Sequence, residues 1–167
     1  MSQSTIPRSV FNQNIIEIYE KSIKLGDTWQ LIKVNEDVYY LEKKDQKFIN
    51  NEILTLIFHI IYSESYNVPV LYLNMFKSNG SIAKYNDIYS FFNLNNLKNE
   101  ERDSDLILTQ QEHPILFKPF YYMHPCKTSQ WMSATKIGEN DNFNFTLKWL
   151  SFVFSALRIP LDIKYAL

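Results

Sequence analysis

The stretch Tyr121-Tyr-Met-His-Pro-Cys-Lys-Thr-Ser-Gln-Trp131 contains the only cysteine of the chain, Cys126. A lone thiol cannot form a disulfide within the chain, so it acts either as a nucleophile or as a small packing residue. Pro125 restricts the backbone, His124 offers an imidazole two residues away, and Lys127 adds a positive charge that favours the thiolate. Polar and small residues follow, which predicts a loop after a strand. Since loops carry chemistry more often than cores do, we interpret Cys126 as a nucleophile, with core packing as the alternative.

The composition indicates a single domain over residues 1–167, because 46% of the residues are hydrophobic and can bury one core without metals or disulfides. The net charge of -1 comes from interspersed acidic and basic residues, which disfavours nucleic acid as a partner. Three glycines exclude a glycine-rich phosphate loop, and one cysteine with three dispersed histidines predicts neither a metal site nor a cofactor. Without a signal peptide or an apolar run of ~20 residues, we expect a cytoplasmic chain with no membrane span.

Two helices are predicted from apolar residues at spacings of three and four. The first runs from a cap at Ser9 to Leu25 and is ended by Gly26. The second is capped by Asp141 or Asn142 and ends before Pro160. Its apolar stripe consists of Phe143, Leu147, Leu150, Phe154 and Leu157.

Four strands are predicted in the first half of the chain, at residues 29–34, 38–43, 52–62 and 70–76. The first two form a hairpin around residues 35–37, and residues 43–47 are expected to be a solvated charge run beyond it. The third strand could be misread as a helix, but its β-branched and aromatic content favours a central strand. His59 lies within it and is expected to be a hydrogen-bonded core residue. The order of these strands predicts an antiparallel meander.

Residues 77–105 predict an excursion from the core, because polar residues interrupt the apolar pattern except at 88–92. Residues 106–109 then predict a short strand, 110–114 a turn, and 117–123 an aromatic strand that leads to Cys126. The fold class is therefore α+β: a four-stranded antiparallel meander flanked by helices, with an accessory insertion at 77–105 after the fourth strand. The residues after Cys126 are enough for one long helix and a tail, so no extra C-terminal helices are expected.

Specific segments carry a resemblance to a known family. These are Thr109-Gln-Gln-Glu-His-Pro-Ile-Leu116, Pro119-Phe-Tyr121, His124-Pro-Cys-Lys-Thr128, Trp149-Leu-Ser151 and Tyr66-Asn-Val-Pro-Val-Leu-Tyr72. Together they resemble the autophagy-related protein ten family, whose members are ubiquitin-like-conjugating enzymes with the ubiquitin-conjugating fold. The second half of the chain carries most of this resemblance, and the rest of the first half agrees only in the order of its elements.

The resemblance implies that the chain is an acyltransferase. Cys126 would accept the ubiquitin-like autophagy-related protein twelve as a thioester from the activating enzyme, autophagy-related protein seven. It would then transfer this modifier to a lysine of autophagy-related protein five, in support of autophagosome formation. A monomer recruited to the site of autophagosome formation is expected. The alternatives are a catalytically silent binding module of the same fold and a cysteine protease that uses His59 or His113 as its base.

Six residues are predicted to form the site. The catalytic ones are Cys126, His124 and Tyr66, and the substrate-binding ones are Asn67, Lys127 and Thr128. Typical ubiquitin-conjugating enzymes carry a His-Pro-Asn motif ahead of the cysteine, and its asparagine is absent here, so His124 is expected to take over part of its work. Tyr66 is expected to orient the attacking amine. The alternatives are that His124 only braces the loop, as is expected of His113, and that Tyr66 packs its ring on the sheet.

Overall fold

The computed structural model describes residues 5–49, 51–92, 108–134 and 143–166. These residues form an α+β fold in which one antiparallel sheet packs against helices, as the sequence predicts. The helices are α1 Arg8–Leu25, α2 Tyr85–Phe91, α3 Thr128–Ala134 and α4 Phe145–Ala156. The strands are β1 Gln30–Lys33, β2 Tyr39–Ile49, β3 Glu52–Ser63, β4 Val68–Phe76, β5 Leu108–Glu112 and β6 Pro119–Met123. Short 3-10 helices cover Pro125–Lys127 and Ile163–Ala166. None of the described helices combines the length and apolar character needed to cross a membrane.

The sheet has six strands in the order β1-β2-β3-β4-β6-β5, so the prediction of four strands is wrong. The meander β1 to β4 forms as expected, and the hairpin of β5 and β6 extends it beyond β4. Residues 110–112 belong to β5 rather than to a turn. Their polar side chains are exposed because β5 is the edge strand, and an exposed polar edge strand has the same composition as a turn.

The second and third strands form a longer hairpin than the sequence indicates. Residues 43–47 continue β2 and pair with β3, from Lys43 opposite Phe58 to Lys47 opposite Leu54, so they are not a solvated run outside the sheet. The charged side chains are compatible with a strand because they are exposed or only partly buried and form ion pairs. At its other end, β3 turns at residues 64–67 into β4, which begins two residues before the predicted start.

The core lies between the sheet and the helices α1 and α4. The face of α1 that carries Phe11, Ile15, Ile18 and Ser22 is buried, and Gly26 ends the helix in the left-handed conformation at φ 69°. Ser9 is not the cap, because α1 begins at Arg8 after Pro7. In α4 the cap is Asn144, whose side-chain oxygen accepts the Leu147 N–H at 2.8 Å.

The predicted caps Asp141 and Asn142 lie outside the described residues. Phe143 precedes α4 and is 53% exposed, so it is not part of the core stripe.

The start of the predicted excursion at residues 77–105 is part of the core. Ile88 and Phe92 are 0% and 3% exposed, and they belong to the same hydrophobic cluster as α1 and α4. The apolar positions of α2 therefore anchor this segment, so the expectation that it leaves the core is wrong here. Residues 93–107, which include most of the predicted polar stretch, lie outside the described residues. The division into one domain with an accessory insertion stays a prediction.

Candidate active site

Cys126 lies in the short 3-10 helix Pro125–Lys127, immediately after strand β6, and its side chain is exposed. Pro125 suits the first position of such a helix because it has no N–H to satisfy. The residue before it, His124, caps the helix, and its Nδ1 accepts the Cys126 N–H at 3.2 Å. The alternative that Cys126 is a packing residue is therefore wrong.

His124 and Tyr66 are brought together beside the cysteine, although they are 58 residues apart in sequence. The Tyr66 hydroxyl lies 3.2 Å from His124 Nε2, and the two rings meet edge to face with centroids 5.4 Å apart. Because Nδ1 accepts an N–H, the neutral ring has its proton on Nε2, which donates to the Tyr66 oxygen. Tyr66 is 43% exposed, so its hydroxyl hydrogen and a lone pair are left for an incoming group.

The turn between β3 and β4 holds Tyr66 through its neighbour Asn67, which adopts φ 52°. The Asn67 N–H donates to the Ser63 carbonyl at 2.8 Å, and its own carbonyl accepts the Ile6 N–H at 2.9 Å. Its side-chain oxygen accepts the Tyr62 hydroxyl at 3.0 Å. The side chain of Asn67 is therefore engaged within the protein, and its contacts fix the turn that presents Tyr66.

The two predicted substrate-binding residues after the cysteine differ in exposure. Lys127 is half-buried in the same 3-10 helix as Cys126. Thr128 begins α3 and is 2% exposed, so the structure does not bring its side chain to a surface where substrate could contact it. The sequence does not distinguish them because both follow Cys126 within a polar stretch.

The other two histidines form a buried chain with Glu42 on the face of the sheet opposite α1 and α4. His113 Nδ1 accepts the N–H groups of Ile115 and Leu116 at 3.2 and 3.1 Å. His113 Nε2 then carries the proton and donates to His59 Nδ1 at 2.9 Å. His59 Nε2 in turn donates to the Glu42 carboxylate at 2.9 Å.

The ionisation of this chain follows from its burial. Desolvation, followed by repulsion from His59, lowers the pKa of His113 to about 4. Desolvation also lowers the pKa of His59, because it outweighs the attraction of Glu42. Burial alone would raise the pKa of Glu42, but its bonds to Lys44 and His59 outweigh this and lower it. Glu42 is thus the anionic end of a hydrogen-bonded chain whose other two members, His59 and His113, are neutral.

This arrangement confirms the expectation that His59 and His113 are structural, and His113 braces the 113–118 turn. Every ring nitrogen of both residues is engaged away from Cys126, which argues against either as the base of a cysteine protease. The sequence does not predict the bond between His59 and Glu42. Its sequence signal is weak, because only the strand register places Glu42 opposite His59. Within the described part of the chain, no three His, Cys, Asp or Glu side chains are grouped to hold a metal ion.

A comparison with protein families connects this geometry to known proteins. The family described as "Autophagocytosis associated protein, active-site domain" matches residues 8–161, which include the whole Tyr66, His124 and Cys126 arrangement. The chain belongs to this family. The prediction of an autophagy-related conjugating-enzyme family is confirmed at this level.

Three relatives of this autophagocytosis-associated chain carry the name "Ubiquitin-like-conjugating enzyme ATG10". The protein of Dictyostelium discoideum is 38% identical over 66% of this chain and 54% of its own length. The Homo sapiens protein is 36% identical over 70% of this chain and 54% of its own, and the Arabidopsis thaliana protein 30% identical over 68% and 54%. The chain spans about half the length of these curated relatives.

A solved structure shares the fold of this family member. The structure entitled "Crystal structure of Autophagic E2, Atg10" matches 93% of this chain and 98% of that chain with a TM-score of 0.57. At 19% sequence identity this similarity concerns the fold alone. It agrees with the ubiquitin-conjugating-like core predicted from the sequence.

Proposed function

We propose that this chain is a ubiquitin-like-conjugating enzyme that carries its modifier as a thioester on Cys126. Its modifier is autophagy-related protein twelve, its donor is the activating enzyme autophagy-related protein seven, and its acceptor is a lysine of autophagy-related protein five. The enzyme acts as a cytoplasmic monomer that is recruited to sites of autophagosome formation. Membership of the autophagocytosis-associated family and the names of the relatives support this proposal.

One observation carries the chemical part of the proposal: Cys126 is exposed, its N–H is bonded to His124, and the other ring nitrogen of His124 contacts the Tyr66 hydroxyl. A conjugating enzyme needs a nucleophile that a large acyl donor can reach. It also needs polar groups that orient a second nucleophile toward the same carbon. The exposed Cys126 meets the first need, and the hydroxyl of Tyr66 meets the second.

In the loading step, the Cys126 thiolate attacks the carbonyl carbon of the modifier's thioester on the activating enzyme. A new carbon–sulfur bond forms, the old one breaks, and the activating enzyme's cysteine leaves as a thiolate. The exposure of Cys126 allows this exchange between two proteins. The bond from the Cys126 N–H to His124 fixes the backbone of the nucleophile while its side chain stays accessible.

In the transfer step, the neutral amine of the acceptor lysine attacks the same carbonyl carbon. The nitrogen–carbon bond forms, the amine loses a proton to solvent, and Cys126 leaves as a thiolate, which gives an isopeptide bond. Most lysine amines are protonated at neutral pH, so the reaction depends on holding the small neutral fraction in place. Tyr66 is suited to this task, because His124 fixes its oxygen, and the remaining lone pair of that oxygen can accept an N–H of the amine while the nitrogen lone pair stays free to attack.

The substrate-binding residues divide into two kinds. Lys127 neighbours Cys126 and is assigned a contact with the modifier's C-terminal segment. Asn67 acts indirectly, because its side chain and carbonyl are bonded to Tyr62 and Ile6 and stabilise the turn that presents Tyr66. Thr128 supports the start of α3 from a buried position and has no direct role.

The proposal is tested by incubating the protein with the activating enzyme, the modifier and ATP, followed by a non-reducing gel. A thiol-sensitive adduct is expected with the wild type and none with Cys126→Ala. Cys126→Ser is expected to give an oxyester that survives reducing agent. Absence of an adduct from the wild type, with an activating enzyme shown to be charged, would reject the conjugating function.

A catalytically silent binding module is the second candidate, and the exposed edge strand β5 favours it. Residues 109–112 are exposed, and one side of the strand has no partner strand among the described residues. Such an edge can pair with a strand of another protein. The same gel separates the two candidates, because a binding module captures a partner without forming the thiol-sensitive adduct.

A further inference from the structure

We infer that Tyr122 is a positioning residue that holds the His124 imidazole in the orientation needed for transfer of the modifier from Cys126 to the acceptor amine. The inference rests on the proposed function and extends it to a residue buried in the sheet. The proposed role of Tyr122 requires no contact with the Cys126 thiol. It acts through His124, which connects it to both Cys126 and Tyr66.

The ring of His124 lies between two tyrosine rings. Tyr122 meets it edge to face at 82° with centroids 6.0 Å apart, and Tyr66 meets it at 79° and 5.4 Å. The bond from the Cys126 N–H fixes the position of Nδ1 but does not by itself fix the tilt of the ring about that atom. Contacts with two tyrosines restrict that tilt, and the direction of Nε2 toward the Tyr66 hydroxyl depends on it.

Tyr122 is itself held firmly. It is 6% exposed on β6 and lies opposite Tyr72 on β4, with ring centroids 4.9 Å apart. Only two residue pairs join β6 to β4, and the Tyr72–Tyr122 pair is one of them. Pairing and packing within the sheet therefore fix the position of Tyr122, and Tyr122 in turn restricts the orientation of His124.

The Tyr122 hydroxyl is not needed for the contact with His124. Burial raises the pKa of Tyr122, and Tyr72, Tyr66 and Cys126 raise it further when they ionise. Among the described residues, no group forms a hydrogen bond with this hydroxyl. The contact with His124 is made by the ring, so phenylalanine is expected to preserve the function.

The test compares Tyr122→Leu with Tyr122→Phe and with a matched control, Phe120→Leu. Phe120 lies on the same strand and face, is 5% exposed, and contacts His59 and His113 instead of His124. Each variant is charged on Cys126, and single-turnover discharge of the thioester is followed with free lysine and with the acceptor protein. Resonances of the His124 ring protons are recorded for the uncharged proteins.

Tyr122→Leu is expected to slow discharge by about 10-fold or more, because a small displacement of a positioning group has effects of this size. The maximal rate should fall while the KM for the acceptor stays unchanged, since the buried Tyr122 cannot contact the acceptor. The His124 ring resonances should shift in Tyr122→Leu and not in Phe120→Leu. Tyr122→Phe should restore both the rate and the resonances.

Equal discharge rates in Tyr122→Leu and Phe120→Leu would overturn the inference, as would a Tyr122→Phe variant as slow as Tyr122→Leu. These failures differ from failure of the proposed function, in which the wild type forms no thioester at all. Thermal unfolding of the three variants identifies any that fail to fold. If Tyr122→Leu does not fold, Tyr122→Met takes its place. A Tyr122→Met variant with unshifted His124 resonances and the discharge rate of the wild type would then reject the positioning role.

Discussion

The backbone N–H of Cys126 donates to Nδ1 of His124 at 3.2 Å, so the histidine is bonded to the backbone of the residue that it serves. The order His-Pro-Cys explains this contact. Pro125 has no N–H, and the first donor that the His124 ring can reach after it belongs to Cys126. The other ring nitrogen is thereby directed to Tyr66. The local sequence thus builds half of the site, and the β3–β4 turn supplies the other half.

Replacing His124 separates its structural role from its chemical one. His124→Ala removes the cap, and we expect the free energy of unfolding to fall by about 0.5–2 kcal/mol. His124→Asn keeps an oxygen that can accept the Cys126 N–H, so its stability should stay close to that of the wild type in urea unfolding. Both variants should slow transfer to free lysine, because neither side chain reaches Tyr66. A His124→Asn variant as unstable as His124→Ala would contradict this assignment.

Tyr66→Phe removes the hydroxyl that is proposed to orient the amine. We expect thioester loading to be unchanged and discharge to free lysine to slow by about 10- to 100-fold, the usual range for a lost positioning contact. Stability should change little, because Tyr66 is 43% exposed. Loading and discharge are measured on the same charged preparation by non-reducing gels at fixed times. Unimpaired discharge would remove Tyr66 from the mechanism.

Tyr62→Phe is the matched control, since Tyr62 loses the same hydroxyl from a buried position. That hydroxyl lies 2.9 Å from the Ile6 carbonyl and 3.0 Å from the Asn67 side chain. Its removal leaves the buried Ile6 carbonyl without this donor, so stability should fall by about 1–3 kcal/mol. Discharge should be affected less than in Tyr66→Phe, because the hydroxyl next to His124 is retained.

The sequence predicts the parts of this site that depend on local chemistry. His124, Pro125 and Cys126 are adjacent, and the predicted exposure of Cys126 is observed, although the predicted loop is a 3-10 helix followed directly by α3. The contact of Tyr66 with His124 spans 58 residues and is not predicted from the sequence, because no local pattern indicates such a distant contact. The core helices and central strands can also be predicted from the sequence, because their apolar periodicity is strong.

The remaining differences arise where burial and pairing override local composition. The polar residues of β5 have the composition of a turn, yet pairing with β6 makes them a strand. The charged residues of β2 suggest solvent, yet the register with β3 places Glu42 opposite the buried His59. A polar segment with a period of two can be a solvent-exposed turn or a strand of the sheet, and only its pairing with neighbouring strands decides between the two.

The histidine chain predicts a specific loss of stability in acid. An unfolded chain takes up a proton at His113 near the ordinary pKa of 6.5, whereas the folded protein resists it until the pKa of about 4. The unfolded state therefore binds more protons in this interval, and stability should fall as the pH drops from about 6.5 to about 4. Urea unfolding at several pH values measures the slope, which approaches one proton for His113 alone.

His113→Asn is the control for this dependence. Its side-chain oxygen can accept the N–H groups of Ile115 and Leu116, as Asn often does within turns, but it does not titrate. The slope between pH 6.5 and about 4 should decrease in this variant, although His59, whose pKa is also lowered, continues to contribute. An unchanged slope would show that other groups cause the acid sensitivity.

Asp27 predicts a second electrostatic contribution to stability. Burial alone would raise its pKa, but hydrogen bonds from Lys43, the Tyr165 hydroxyl at 2.7 Å and the Thr28 N–H outweigh this and lower it. Asp27→Asn should reduce the free energy of unfolding by about 1–3 kcal/mol at neutral pH, because Lys43 loses its anionic partner. The difference from the wild type should shrink as the pH falls below the ordinary pKa of 3.8, where Asp27 of the unfolded chain takes up a proton, and should vanish below the lower pKa of the folded protein. Asp45→Asn, which removes an exposed pair with Lys47, should cost less than about 1 kcal/mol, and equal losses in the two variants would contradict the role of burial at Asp27.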